Sequence, residues 1–246
     1  MTGEVLLKVE NLDVKYGDFQ ALRNVSLEVR EGSVVSVIGA NGAGKSTLLK
    51  TIAGLLKPVR GRILFGGQDI TGWRPDQVVA AGVALVPEGA RVFPRMTVLD
   101  NLITGSYTPR ARKKRDTLIG RVYELFPILA KRSSQLASTM SGGERQMLAI
   151  GRALMSDPKL ILFDEISLGL APVVIKDIYE RIKEINAEGT TVVLVEQDVR
   201  RSLKASEVAY VMLEGQIVLS GRSKELGEEE VRKAYFGVDV KAAANS

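Results

Sequence analysis

The sequence predicts an α/β fold: a core built on a mostly parallel sheet, with an N-terminal antiparallel β part and an inserted helical subdomain. Three observations predict it. Residues 4–36 alternate apolar and polar side chains with the two-residue period of strands. A β-branched, uninterrupted run at residues 33–39 leads through a glycine-rich loop into a helical pattern. Helical periodicity over residues 97–155 then separates this part from two further strand-like runs, Leu160–Phe163 and Thr191–Val195.

The elements follow in order. Val5, Leu7 and Val9, then Leu27 and Val29, supply the inward faces of strands, with turn signals at Tyr16-Gly17-Asp18 and Glu31-Gly32 between them. The β-branched run through Val34, Val35 and Val37 has no polar alternation, as a strand covered on both faces requires. Residues 46–56 read as a helix ending before Lys57-Pro58, and 62–65 as a strand before the turn Gly66-Gly67. A short helix at 76–81 and a strand at 83–86 precede the helical region, which includes helices at 116–129 and 143–155. A helix is expected at 173–187, a final short β segment around 208–219, and then a polar helical tail. One domain is therefore expected over residues 1–240. Its α/β core comes from about 1–90 and 156–222, its helical subdomain from about 91–155, and a C-terminal helix and tail from 223–246, with Lys241–Ser246 frayed.

Composition narrows the chemistry. A chain of 246 residues, 45% hydrophobic and 26% charged, can bury a core without covalent staples. It has neither cysteine nor histidine. Thiolate nucleophiles, histidine general bases and Cys/His metal sites are excluded, which leaves carboxylates, lysine, hydroxyls, amides or a bound metal to carry the chemistry. The net charge of +5 is compatible with anionic partners but assigns none. No run approaches the ~20 apolar residues that span a bilayer, and the first residues lack a signal-peptide core. A soluble, cytoplasmic protein is expected.

Gly39-Ala40-Asn41-Gly42-Ala43-Gly44-Lys45-Ser46 fits the phosphate-loop pattern G-x-x-x-x-G-K-[ST], between a strand and a helix. Glycines allow successive backbone N–H groups to face an anion, and the helix N-terminus adds partial positive charge. Lys45 offers a compact cation for β- and γ-phosphates, and the Ser46 hydroxyl a ligand for Mg²⁺. Leu160–Phe163 delivers two acids, Asp164 and Glu165, at a strand end. Beside a phosphate loop, Asp164 suits a metal-shell role and Glu165 the acceptor of a proton from attacking water; alone, such a pair reads as a solvated strand end. Ser141-Gly142-Gly143-Glu144 opens an amphipathic helix, which fits either an ordinary N-cap or a second anion site. The basic cluster Arg110–Arg115 reads as a solvated helix start, and Trp73 as a local packing residue.

These three segments, in this order, resemble the ATPase domain of ABC transporters, within the P-loop NTPases, over residues 5–237. The resemblance implies ATP and Mg²⁺ as ligands and two ATPase chains packed head to tail, identical or different. Each ATP would then lie between one chain's phosphate loop and the other's Ser141, Gly142 and Gly143. Residues Gly39, Asn41, Gly42, Ala43, Gly44, Lys45, Ser46 and Thr47 match the nucleotide-binding loop, and Tyr16 the aromatic that stacks on adenine. Glu88 stands where the family usually has a glutamine that links the metal to the membrane subunits. Gln197 replaces a usual histidine at the γ-phosphate, so any step needing that histidine's proton is excluded. Ile166 and Ala171 replace a usual proline and aspartate, which puts signalling through that loop in doubt. Val86-Pro87-Glu88-Gly89 with Arg91–Val98, Gly169–Pro172 and Val195–Gln197 is similar to one ATPase of bacterial branched-chain amino-acid importers. That resemblance implies two transmembrane permease subunits, an external substrate-binding protein, a peripheral place on the inner membrane face, and no nucleic-acid partner. Transport of urea, short amides or lipid, and soluble non-transport ATPases, are the alternatives.

Overall fold

A computed structural model describes residues 3–236. Along the chain, β1 (Val5–Tyr16) and β2 (Phe19–Arg30) form a hairpin, followed by β3 (Val34–Ile38), α1 (Lys45–Ile52), β4 (Arg60–Phe65) and β5 (Gln68–Asp69). Then come α2 (Pro75–Ala81), β6 (Val83–Val86), α3 (Val98–Gly105), α4 (Pro109–Lys113), α5 (Arg115–Leu125), α6 (Pro127–Lys131) and α7 (Gly142–Leu154). The remaining elements are β7 (Leu160–Asp164), α8 (Pro172–Ala187), β8 (Thr191–Glu196), α9 (Val199–Ala205), β9 (Val208–Leu213), β10 (Gln216–Arg222) and α10 (Glu228–Phe236).

The chain divides into two compact units, one up to Pro75 and again from Thr191, the other Asp76–Thr190. The first holds the antiparallel sheet β2-β1-β4-β5 and the strand order β10-β9-β3-β8. There β3 pairs parallel with both β8 and β9, and β10 pairs antiparallel with β9. All five residues of β3 are buried, which accounts for the missing alternation in its sequence. In the second unit β6 and β7 pair in parallel, and α7 is packed through Leu148, Ile150 and Leu154, all buried. The expected α/β class, antiparallel N-terminal part and helix-rich middle are all present.

Some elements end where finer signals dictate. The helix expected to reach residue 56 stops at Ile52. Gly54 takes φ 75°, Leu55 N donates to Lys50 O (2.8 Å) and Gly54 N to Thr51 O (3.1 Å), a glycine-closed Schellman terminus. The helix expected over 116–129 breaks at Phe126, whose backbone (φ −130°, ψ 75°) is non-helical because Pro127 crowds the residue before it. Pro127 then opens α6. The single β segment expected at 208–219 is a hairpin of β9 and β10, turned at Glu214 (φ 47°) and Gly215 (φ 78°). The basic cluster is more than a solvated face. Arg110 donates to Asp157 O (2.8 Å), Lys114 pairs with the Asp157 carboxylate (2.9 Å) and Arg115 donates to Ser106 Oγ (3.0 Å). Arg112 and Lys113 are exposed. The expected tail, Lys241–Ser246, lies outside the described residues.

Close helix contact in the second unit depends on small side chains. A Cβ on Gly105, at the end of α3, would collide with the carbonyl oxygen of Arg152 on α7. Gly105→Ala is expected to lower stability by about 1–3 kcal/mol, the usual cost of overpacking. A lowered midpoint in urea unfolding checks this.

Candidate nucleotide site

The first unit builds a loop shaped for phosphate. β3 enters the interior and ends at Ile38. The chain then turns through residues 39–44, with Gly42 at φ 82° and Gly44 at φ 100°, conformations that L side chains rarely adopt. Gly39 is constrained by space instead, since a Cβ there would lie 2.6 Å from Met212 O. Gly44 is the N-cap of α1 and offers no side-chain acceptor, so the N–H groups of the first turn remain directed out of the helix end. Lys45 is 3% exposed, and its ammonium donates to Gly39 O (2.8 Å) and Ala40 O (2.9 Å), which holds the charge inside the curve of the loop. Ser46 and Thr47 follow on the same first turn.

Two other predicted residues join this loop. Gln197, just past β8, donates through Nε2 to Asn41 Oδ1 (2.8 Å). Tyr16, at the end of β1, approaches Thr47 Oγ1 with its hydroxyl (3.4 Å) while its ring is 47% exposed. A charged loop, a tethered amide and an open aromatic ring therefore lie together at one end of β3.

In the second unit, β7 is buried along its whole length and ends on Asp164, 2% exposed, with Glu165 next at 7%. Glu165 has φ 47°, an uncommon conformation for a residue with a Cβ, held by the packing around it. These are buried, positioned acids and not a solvated strand end. Ser141 caps α7 in a full capping box. Its Oγ accepts from Glu144 N (3.3 Å), and its own N–H donates to the Glu144 carboxylate (2.9 Å). Arg132 lies 3.2 Å from that carboxylate. Gly143 packs flat against α8, where a Cβ would stand 2.6 Å from Val174 Cγ1. Glu88 is exposed on the loop after β6.

The anchors of that loop carried no motif. Asn101, fully buried, accepts from Phe93 N (2.8 Å) and donates to Phe93 O (3.0 Å) and Thr97 O (2.9 Å). Arg152 donates to Arg91 O and lies over the Phe93 ring, 5.0 Å from its centroid. Burial pushes the Arg152 guanidinium below its ordinary pKa. A lone asparagine and one arginine on a helix gave no sequence signal for these contacts.

Each unit carries an oxygen donor of the kind that Mg²⁺ prefers. Ser46 supplies a hydroxyl and Asp164 a carboxylate, both hard oxygen ligands. Among the described residues no cluster of three or more acids could enclose an ion alone. Among the described residues, no helix is long and apolar enough to cross a membrane.

The fold and these loops define a nucleotide-binding α/β ATPase. Residues 22–167 match the ABC transporter family. The chain is 46% identical to the high-affinity branched-chain amino acid transport ATP-binding protein BraG of Pseudomonas aeruginosa, over 94% of this chain and 100% of that one. A solved ATP-binding cassette of an ABC transporter in its ADP conformation superposes with a TM-score of 0.78 at 33% identity, covering 95% of each chain. A dimeric ATP-binding cassette in a post-hydrolysis state, bound to ADP and Pi, superposes with a TM-score of 0.75 at 27% identity, over 90% of this chain and 100% of that one. The chain belongs to the ABC transporter family and is an ATPase of it.

Ser141→Ala removes the cap of α7 and is expected to destabilise the protein by about 0.5–2 kcal/mol, whereas Ser141→Asp retains an acceptor and most of the stability. Denaturant unfolding of both variants checks this.

Proposed function

We propose that this chain hydrolyses ATP with Mg²⁺ at the cytoplasmic face of a membrane to power import of branched-chain amino acids. The observation that carries the reading is the full catalytic set on a chain 46% identical to BraG: phosphate loop with Lys45, buried Asp164 and Glu165, and a Ser141-Gly142-Gly143 helix start.

In this reading the N–H groups of residues 42–47 and the Lys45 ammonium hold the β- and γ-phosphates, and Tyr16 stacks on adenine. Glu165 takes a proton from water as its oxygen attacks the γ-phosphorus. The bond to the β,γ-bridging oxygen breaks, and ADP and phosphate leave. Gln197 donates its amide to the γ-phosphate without transferring a proton. Bound Mg²⁺ would neutralise charge on the β- and γ-oxygens, with Ser46, Asp164 and Glu88 as its candidate protein ligands. Two cassettes pair head to tail, so that Ser141, Gly142 and Gly143 of one complete the nucleotide site of the other. The Glu88 loop, held by Asn101 and Arg152, passes the closure to two transmembrane permease subunits. An external binding protein delivers the amino acid.

Glu165→Gln is expected to reduce hydrolysis by about 10²–10⁴-fold, the range for a lost general base, while ATP binding persists. Gln197→Ala is expected to slow turnover less. Phosphate release and ATP titration on both variants test the assignment, and wild-type turnover by Glu165→Gln would end it. Affinity capture of tagged Glu165→Gln protein with ATP in gentle detergent should bring down two polytopic membrane proteins and a second ATPase. Recovery of ribosomes or DNA-bound proteins instead would refute the transport role.

A further inference from the structure

We propose that Phe19 is a second base-contacting residue, which with Tyr16 forms a two-ring platform for the purine of the bound nucleotide. The proposal rests on the reading that residues 39–47 hold the phosphates of that nucleotide.

The two aromatics are joined by strand register. Tyr16 pairs with Phe19 across the tip of the β1–β2 hairpin. Gly17 at φ 58° fills the first central turn position, where the tight hairpin turns need a residue free to adopt positive φ. Side chains of directly paired residues share a face of the sheet, with Cβ atoms about 4.5–5.5 Å apart. That face is fixed by the Tyr16 hydroxyl, which reaches Thr47 Oγ1 on the first turn of α1 (3.4 Å). Phe19 is therefore on the side of the hairpin that looks toward the phosphate loop.

Exposure sets this pair apart. The next apolar pair inward, Val14 and Leu22, is buried, at 1% and 0% exposure. At the tip the apolar face continues but its cover ends, leaving Tyr16 47% and Phe19 69% exposed. An open phenyl ring in water forgoes about 25 cal/mol for each Å² of apolar surface left uncovered. A purine is a flat apolar-faced ring of the right class to cover it, and the phosphate loop supplies the anchor that brings one there. Phe19 has no polar atom, so it contributes stacking alone and cannot distinguish adenine from guanine by hydrogen bonding.

The test is isothermal titration of wild type, Phe19→Ala and Phe19→Trp with ATP, GTP and inorganic tripolyphosphate, each with Mg²⁺, with urea unfolding as a control for folding. Loss of one stacked ring is expected to weaken ATP and GTP alike, by about tenfold in Kd. Tripolyphosphate, which has no base, should bind Phe19→Ala and wild type equally, and Phe19→Trp should keep nucleotide affinity. Unchanged ATP affinity in Phe19→Ala would overturn the proposal. So would an equal loss for tripolyphosphate, since Phe19 would then only support the loop. Wild-type protein that bound neither ATP nor tripolyphosphate would overturn the reading of the phosphate loop itself, and this inference with it.

Discussion

The constraint on which the nucleotide-binding unit depends is the close approach of backbone around the phosphate loop. Gly39 lies against the carbonyl of Met212, and Gly44 against Leu22 and Ala21, with room for no side chain at either position. The loop is thereby wedged between β9 and the β1–β2 hairpin. Ala43 O also accepts from Gly215 N (3.0 Å), and Arg23 N donates to Gly215 O (2.9 Å), so one turn is bonded both to the loop and to the hairpin. An anion-binding loop works only if its N–H groups are fixed before the anion arrives. Here that fixity comes from neighbours distant in sequence, and it explains why an antiparallel β part accompanies a parallel core.

The same hairpin carries the aromatic side chains at its tip. A single rigid ribbon thus presses Leu22 against the glycine at the start of α1 and presents Tyr16 beside Thr47. The glycine-rich loop and the aromatic tip depend on one piece of structure, so a shift of register in the hairpin would disturb both. The tie between Gln197 and Asn41 extends this logic to the far end of β8, where Gln197 is fixed by an amide–amide hydrogen bond. Such a contact is insensitive to pH in the physiological range, unlike one made by imidazole.

Residues whose chemistry acts through backbone geometry were the legible ones. Glycines at fixed spacing, a lysine after them, and acids closing an apolar strand declare their surroundings, because few other contexts tolerate them. The burial of Asp164 and Glu165 follows from the five apolar or terminal positions of β7. Helix ends were less legible where a local glycine or proline competed with a longer apolar period. Gly54 and Pro127 overruled the pattern because a left-handed terminus and a pre-proline clash act on one residue at full strength, whereas periodicity is only a sum of weak preferences. The Asn101 and Arg152 contacts were not legible at all. They satisfy backbone groups of a loop whose path no residue in that loop specifies, and only the folded chain shows which carbonyls lack partners.

Of the two readings of Ser141, the structure carries the N-cap. Its hydroxyl oxygen accepts from Glu144 N, and the Glu144 carboxylate in turn accepts from the Ser141 N–H. The box satisfies two backbone donors, while the missing side chain of Gly143 lets α8 approach through Val174. The start of α7 thus differs from that of α1, where Gly44 offers no side-chain acceptor and no carboxylate closes the helix end. By contrast, α8 begins at Ala171 with no side-chain cap. Its first turn relies on Pro172, which has no N–H to satisfy, and on packing of Val174 against Gly143. The segment before it is tied by its own turns, with Leu168 N donating to Glu165 O and Leu170 N to Ser167 O (both 3.3 Å), so the start of α7 supports α8 through packing while these bonds hold the connection.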